Sequence, residues 1–268
     1  MTLQQALFSG VLQGATEFLP VSSSGHLVFL HHFFKIKEPQ LIFDVFLHAG
    51  TLLAVLIFFR REIVALFLQK KTLGVLVLAG TVPIAGAGIV FSFWLEEKFS
   101  RLFTSAGFAA SMLMVTGLWL FAGGYRSARN KRVSSLESGT LASRLGRVAA
   151  IGVAQALALF PGISRSGATI STALLVGVER KAAVEFSFLL MVPATIGALA
   201  ISSFKLLSSG GSRISANPNP ACFLVGMLSA ALVGMLAIKL LVLAVNRQKF
   251  HLFGFYCIAL GLAVLVII

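Results

Sequence analysis

Charge is scarce in this sequence, and acidic charge most of all. Of 268 residues only 9 are Asp or Glu, and charged residues of both signs make up 12%, against about 25% in ordinary soluble domains. A soluble chain this poor in charge, and 57% hydrophobic, could not cover its own surface. That excludes a cytosolic enzyme, a disordered tail and a fibrous protein. Regular alternation of apolar and polar residues is missing too, which excludes an outer-membrane barrel. Cysteine is limited to Cys222 and Cys257, both inside apolar runs, so neither a disulfide framework nor a zinc pattern is available. These absences leave an all-α polytopic membrane protein.

What is present in excess is basic charge, 22 Lys and Arg for a net +13. These residues sit between apolar runs, as in cytoplasmic loops, and nucleic acid is not the expected partner. Six runs have the length to cross, at about 20 apolar residues per span: 41–59, 72–95, 102–122, 183–204, 221–245 and 252–268. Two more apolar regions, 3–34 and 148–178, are interrupted by Pro20-Val21-Ser22-Ser23-Ser24-Gly25 and by Pro161-Gly162-Ile163-Ser164-Arg165-Ser166-Gly167. Segment 123–147 carries a net +5 and 60–71 a net +3, whereas 96–101 is neutral. The positive-inside rule therefore places 60–71 and the basic linker 123–147 in the cytoplasm and 96–101 outside. Residues 35–40 and 205–220 then fall outside. Region 148–178 must begin and end inside, and it is too short to cross twice, so it is expected to be a re-entrant hairpin. The same parity makes 3–34 a hairpin entering from outside.

The two interrupted regions match each other at an offset of 142 residues. Gly10, Val11, Gln13, Phe18, Ser22, Ser24 and Gly25 correspond to Gly152, Val153, Gln155, Phe160, Ser164, Ser166 and Gly167, 7 identities in 16 ungapped positions. The reading is an inverted-topology repeat. Residues 1–122 and 148–268 each form one re-entrant helical hairpin followed by three transmembrane helices, and the two hairpin tips meet near the midplane.

Non-helical backbone at membrane depth is tolerated only where it is buried or lines a wet cavity. After each tip a helix restarts with serines at its N-cap, so two positive dipole ends and their free N–H groups address one region, an anion site. Arg165 adds a planar fork of donors suited to phosphate oxygens. Glu17 ends the first half-helix, where the dipole disfavours its charge. A hard divalent cation such as Mg²⁺ (or Ca²⁺) would satisfy it, with Gln13, one turn earlier, as a second oxygen ligand. His26 follows the tip as a candidate acid, base or nucleophile. Ser22, Ser23, Ser24, Ser164, Ser166 and Thr169 are candidate substrate contacts. Asp44 is a secondary candidate that sits four residues before His48 and reads as its partner. Glu185, four after Lys181, reads as half of an ion pair near the inner surface.

The stretch Leu12-Gln13-Gly14-Ala15-Thr16-Glu17-Phe18-Leu19-Pro20-Val21-Ser22-Ser23-Ser24-Gly25-His26 resembles the first signature of the bacitracin-resistance undecaprenyl-diphosphate phosphatases. Pro161 to Ile170 is similar to their second. Glu185 to Leu190 with Val192-Pro193, and Phe43-Asp44-Val45 with His48 and Gly50, fit as well. The resemblance implies a multi-pass enzyme of the bacterial inner membrane. It would hydrolyse undecaprenyl diphosphate to undecaprenyl phosphate and inorganic phosphate with the help of a divalent cation, recycling the carrier lipid for peptidoglycan synthesis and giving bacitracin resistance. It assigns catalysis to Glu17, His26 and Arg165, and phosphate contacts to Ser22, Ser23, Ser164 and Thr169. Gln13 stands where some members carry glutamate, leaving Glu17 as the sole carboxylate of that motif. The active site is expected to open to the outer, periplasmic face. The partners are a polyprenyl diphosphate and membrane lipid, with a homodimer as an allowed assembly.

The competing reading is an ion-coupled secondary transporter or lipid flippase, since inverted repeats with broken helices are transporter architecture. The tips discriminate: reversible binding has little use for a set made of Glu17, His26 and Arg165. Ser24-Gly25-His26 is also similar to an element of phosphatidic-acid-type phosphatases. Those need a histidine six residues after the arginine, and that position here is Ser171.

Overall fold

The computed structural model describes residues 1–34, 41–129, 134–208 and 219–268. Its helices are α1 (Leu3–Phe18), α2 (Ser23–Phe34), α3 (Leu41–Phe58), α4 (Arg60–Leu68), α5 (Lys71–Val90), α6 (Glu96–Phe103), α7 (Ala106–Arg129), α8 (Leu141–Leu157), α9 (Arg165–Leu175), α10 (Arg180–Ser208), α11 (Pro220–Asn246) and α12 (Leu252–Ile267). A π-helical turn, Phe91–Leu95, continues α5. Among the described residues the only β pairing is a single bridge between Ser134 and Val178. The protein is an all-α membrane protein. Lys71–Leu95, Ala106–Arg129, Arg180–Lys205 and Pro220–Asn246 are long and apolar enough to cross a bilayer, and α3 and α12 are shorter apolar helices.

Lipid and protein faces separate by side-chain size. On α11, Leu224, Leu228, Leu232, Leu236 and Leu240 recur every fourth residue and are exposed, whereas Gly226, Ser229, Ala230, Gly234 and Ala237 are buried. With lipid as solvent, helices gain nothing by hiding leucine and associate through small residues that let backbones approach. α1 packs on that small face. A Cβ on Gly10 would lie 2.4 Å from the Gly226 carbonyl oxygen. The matching Gly152 of α8 packs on α5 in the same way, where a Cβ would lie 2.5 Å from the Gly80 carbonyl oxygen.

Several boundaries differ from the hydropathy reading. Residues 60–71 are not a loop but mostly α4, whose Ile63 and Leu66 pack on the core. Residues 96–101 begin α6, so the third span starts at Ala106 rather than 102 and runs to Arg129. Arg126 and Arg129 occupy its last turn, where the dipole favours cations. The second hairpin starts at Leu141, before residue 148, because the Thr140 hydroxyl accepts from the Ser143 N–H and caps α8. Lys181 is not the partner of Glu185. The ion pair is with Lys70, 3.3 Å away, since the start of α5 reaches α10 across the bundle. Residues 35–40 and most of 205–220, which entered the orientation argument, lie outside the described residues.

Candidate functional site

The site is built where two helices stop and two begin. α1 ends at Phe18, and the chain passes through extended Leu19 to Ser22, which adopts a left-handed φ of 65°. The Ser22 hydroxyl accepts from the Gly25 N–H at 3.2 Å and lies 3.2 Å from the Ser24 hydroxyl. At the second tip, Ser164 Oγ accepts from the Gly167 N–H at 3.1 Å and lies 3.2 Å from the Ser166 hydroxyl. The reversal before it uses Gly162 at φ 97°. A Cβ there would lie 2.1 Å from the Ala109 carbonyl oxygen, so only glycine fits against α7. Thr116 of α7 stitches this turn, donating to the Gly162 carbonyl at 2.8 Å and accepting from the Ser164 N–H at 3.0 Å. The tips touch: a Cβ on Gly25 would lie 3.2 Å from the Gly162 Cα, and one on Gly167 3.3 Å from the Pro20 Cβ.

Glu17 is the centre of the arrangement, with its side chain 3% exposed. Its Oε1 forms an ion pair with Arg165 Nη2. Its Oε2 accepts from Ser23 Oγ at 2.6 Å and from Gln13 Nε2 at 3.0 Å. The other arm of Arg165 donates to Thr195 Oγ1 at 2.9 Å. Gln13 Oε1 is buried and has no hydrogen-bond partner. A cavity of about 730 Å³ opens in front of this cluster. Its polar end holds Glu17, Ser22, Ser23, Ser24, Ser164, Arg165 and Thr195, with Asp44 and His48 of α3. Its apolar wall includes Ile84, Ala85 and Ile89 of α5 and Ala198 and Ile201 of α10. Ser92, Ser202 and Lys205 lie at the far end of those two helices.

The structure therefore brings together Gln13, Glu17, Ser22, Ser23, Ser24, Ser164 and Arg165, and places Asp44 at the same cavity. It does not bring His26 there. The His26 ring stacks on Tyr256 of α12, its Nε2 is 2.7 Å from the Tyr256 hydroxyl and its Nδ1 is 2.8 Å from the Ser22 carbonyl oxygen. Thr169 is fully buried, bonded to the Arg165 carbonyl at 2.8 Å and to Ser187 at 2.5 Å. Neither Thr169 nor Ser166 lines the cavity. His48 Nδ1 lies 2.8 Å from the Asp44 carbonyl oxygen. Among the lining groups not singled out as site residues from the sequence are Thr195 and His48. The signal for Thr195 was its place two residues after Pro193, a proline inside α10 that lines the same cavity.

As a chemical device this is a serine hydroxyl on a carboxylate, beside an arginine, at the starts of two helices. The pair has the geometry of an activated nucleophile and its base, and the arginine and helix ends can hold a phosphate. Among the described residues no three His, Cys, Asp or Glu side chains gather as a metal set. Glu17 and the unpartnered Gln13 oxygen supply two hard oxygen donors. That number suits a cation of the Mg²⁺ type, which takes one or two carboxylates and completes its shell with water and substrate phosphate.

The chain matches the family model described as bacitracin resistance protein BacA over residues 6–263. It is 40% identical to an undecaprenyl-diphosphatase of Desulfosudis oleivorans, covering 96% of this chain and 95% of the relative. It is also 40% identical to one of Carboxydothermus hydrogenoformans, covering 98% and 96%. With one of Korarchaeum cryptofilum it shares 37% identity, covering 99% of each.

Proposed function

Because this chain belongs to the bacitracin resistance protein BacA family, we propose that it is an undecaprenyl-diphosphate phosphatase of the bacterial inner membrane. It regenerates the monophosphate carrier lipid for cell-wall synthesis, and that regeneration is the source of bacitracin resistance. The observation that carries the reading is the Ser23–Glu17–Arg165 cluster at the polar end of an apolar-walled cavity. A transporter has no need of a hydroxyl held 2.6 Å from a carboxylate.

The diphosphate displaces Glu17 from Arg165, whose fork then grips the terminal phosphate with help from the N–H groups at the starts of α2 and α9. Freed of its ion pair, Glu17 accepts the Ser23 proton as the Ser23 oxygen attacks the terminal phosphorus. The anhydride bond breaks and the lipid monophosphate leaves, with phosphate on Ser23. Water completes the cycle. Gln13 and Glu17 would hold a divalent cation, Mg²⁺ or Ca²⁺, which when bound neutralises charge on the diphosphate. Ser22 and Ser164 shape the two helix starts, and His26 orients the first tip through the Ser22 carbonyl.

The halves are read as inverted repeats with re-entrant hairpins. The exchange of partners supports this, since α1 lies on α11 of the other half and α8 lies on α5. The cavity is read as opening to the periplasm. Its lining uses residues 81–92 of α5 and its π-turn and 193–205 of α10, and none from the starts of those helices, the ends that the loop charges assign to the cytoplasm.

The test is release of phosphate from a polyprenyl diphosphate by the purified protein in detergent. Wild type should turn over and Glu17→Gln should not. A folded wild-type protein without phosphate release would end the phosphatase reading. For the orientation, Ser24→Cys should react with a membrane-impermeant thiol reagent added from the periplasmic side, more slowly when a phosphate analogue is present. Labelling only from the cytoplasmic side of inverted vesicles would reverse the topology and leave the chemistry standing.

A further inference from the structure

The Glu17–Arg165 pair lies at one end of a long cavity, and a lysine lies at the other. Lys205 of α10 lines the far end with Ser92 and Ser202. Its Nζ sits 5.9 Å from the centroid of the Phe93 ring, in the π-helical turn that continues α5. Cation and ring together join the two helices that wall the cavity.

The depth of this lysine sets it apart. Thr195, whose hydroxyl accepts from Arg165 at 2.9 Å, stands midway along α10, 15 residues after Arg180 and 13 before Ser208. Lys205 is ten residues further on, a rise of about 15 Å. That is half of a hydrocarbon core ~30 Å thick. With Arg165 near the midplane, Lys205 stands at the level of the lipid headgroups. A lipid diphosphate carries its charge at that level and must bring it about 15 Å inward to reach Arg165. With Nζ over Phe93, Lys205 is too distant to share the diphosphate once Arg165 holds it.

The charges of the lining agree. Among the described residues they are Glu17 and Asp44 against Arg165 and Lys205, two acids and two bases. Glu17 and Arg165 pair with each other. Take Lys205 away and the lining becomes net −1, repelling the anion it has to admit. The position is also one that topology disfavours for a cation. On the loop charges α10 ends outside, where Lys and Arg are scarce.

We infer that Lys205 is a capture residue, the first cation to engage the diphosphate headgroup at the cavity mouth, drawing it in and passing it to Arg165. It acts on arrival and takes no part in bond cleavage. The inference rests on the phosphatase reading for the identity of the anion.

The experiment uses the whole chain in nonionic detergent micelles and a prenyl diphosphate with a dansyl group on its tail. Association is read by energy transfer from the two tryptophans. Lys205→Gln should slow association about tenfold at low ionic strength. The difference should close to about twofold or less near 1 M salt, where the Debye length is about 3 Å. At saturating substrate kcat should match wild type, and Lys205→Arg should keep the wild-type association rate. An uncharged dansyl polyprenol should associate equally with wild type and Lys205→Gln. Wild-type association of the diphosphate in Lys205→Gln would overturn the inference. So would equal slowing of the uncharged lipid, or a loss that salt does not remove. Phe93→Leu keeps the charge and removes the ring, so association as slow as in Lys205→Gln would make the pair a structural tie and overturn it as well. Binding is read without hydrolysis. A wild-type protein that shows this charge-dependent association yet releases no phosphate would end the phosphatase reading and leave the capture of anionic lipid standing.

Discussion

The first and second tips are close copies in their frame and unlike in their chemistry. Each has a serine capping the helix that follows, at 3.2 Å in the first and 3.1 Å in the second, with a neighbouring serine two residues on. Each is approached by a helix bearing a buried glutamine, Gln13 or Gln155, and a glycine pressed on a partner backbone, Gly10 or Gly152. The differences fall on the groups proposed to react. Leu159 stands at the position matching Glu17, and Arg165 at the position matching Ser23. One tip carries the carboxylate and a hydroxyl bonded to it, and the other carries the cation. The orphaned state of Gln155, whose amide nitrogen and oxygen both lack partners while Gln13 bonds Glu17, follows the same division. A shared frame fixes where groups sit, and a few exchanged side chains decide what they do.

Several substitutions break or sharpen this contrast. The largest effect is expected from Glu17→Gln, which takes the proposed base from the first tip. Phosphate release should fall roughly 10³-fold, with insertion and thermal unfolding near wild type. Arg165→Lys attacks the second tip. A point charge cannot reproduce the fork that spans Glu17 and Thr195, and a loss of about tenfold or more corresponds to ~1.4 kcal/mol of transition-state stabilisation. Wild-type kinetics in that variant would remove Arg165 from phosphate binding. Gly10→Ala and Gly152→Ala test the common frame. Each forces apart a helix pair and should cost about 1–3 kcal/mol, read as a lower unfolding temperature in detergent, and the two losses should be similar. The smallest and sharpest comparison is between the caps. Ser164→Ala should cost about 1 kcal/mol. Ser22→Gly should be close to neutral, because the left-handed φ at Ser22 favours glycine and offsets the lost cap. Equal losses in the two variants would mean that Ser22 is held in its conformation by more than its own turn.

Much of this was legible in the sequence because it is local. The breaks at Pro20–Gly25 and Pro161–Gly167, the caps at Ser22 and Ser164 and the apolar helices all follow from residue type and spacing. The charges at the cavity stood out because Glu17 and Arg165 are costly in an apolar segment. What was not legible depends on distant partners. His26 is near the tip in sequence, but its ring is directed by Tyr256, 230 residues away. Thr169 reads as a tip hydroxyl, yet Ser187 on α10 claims it. Glu185 had a lysine one helical turn away and chose Lys70 from another helix. α4 and α6 were hidden because short helices rich in charge carry the hydropathy of loops.

The Arg165–Glu17 ion pair gives the site the character of an ion exchanger. Its two charges neutralise each other at the floor of the cavity, so without substrate the site needs no borrowed counterion. Anything that engages Arg165 must bring an anion to take the place of the one it displaces. A neutral polyprenol with the right tail would fill the apolar wall and leave Glu17 bound, whereas on the proposed mechanism a diphosphate trades charge for charge and in doing so frees the carboxylate. On that mechanism, arrival of substrate and arming of the carboxylate would be one event.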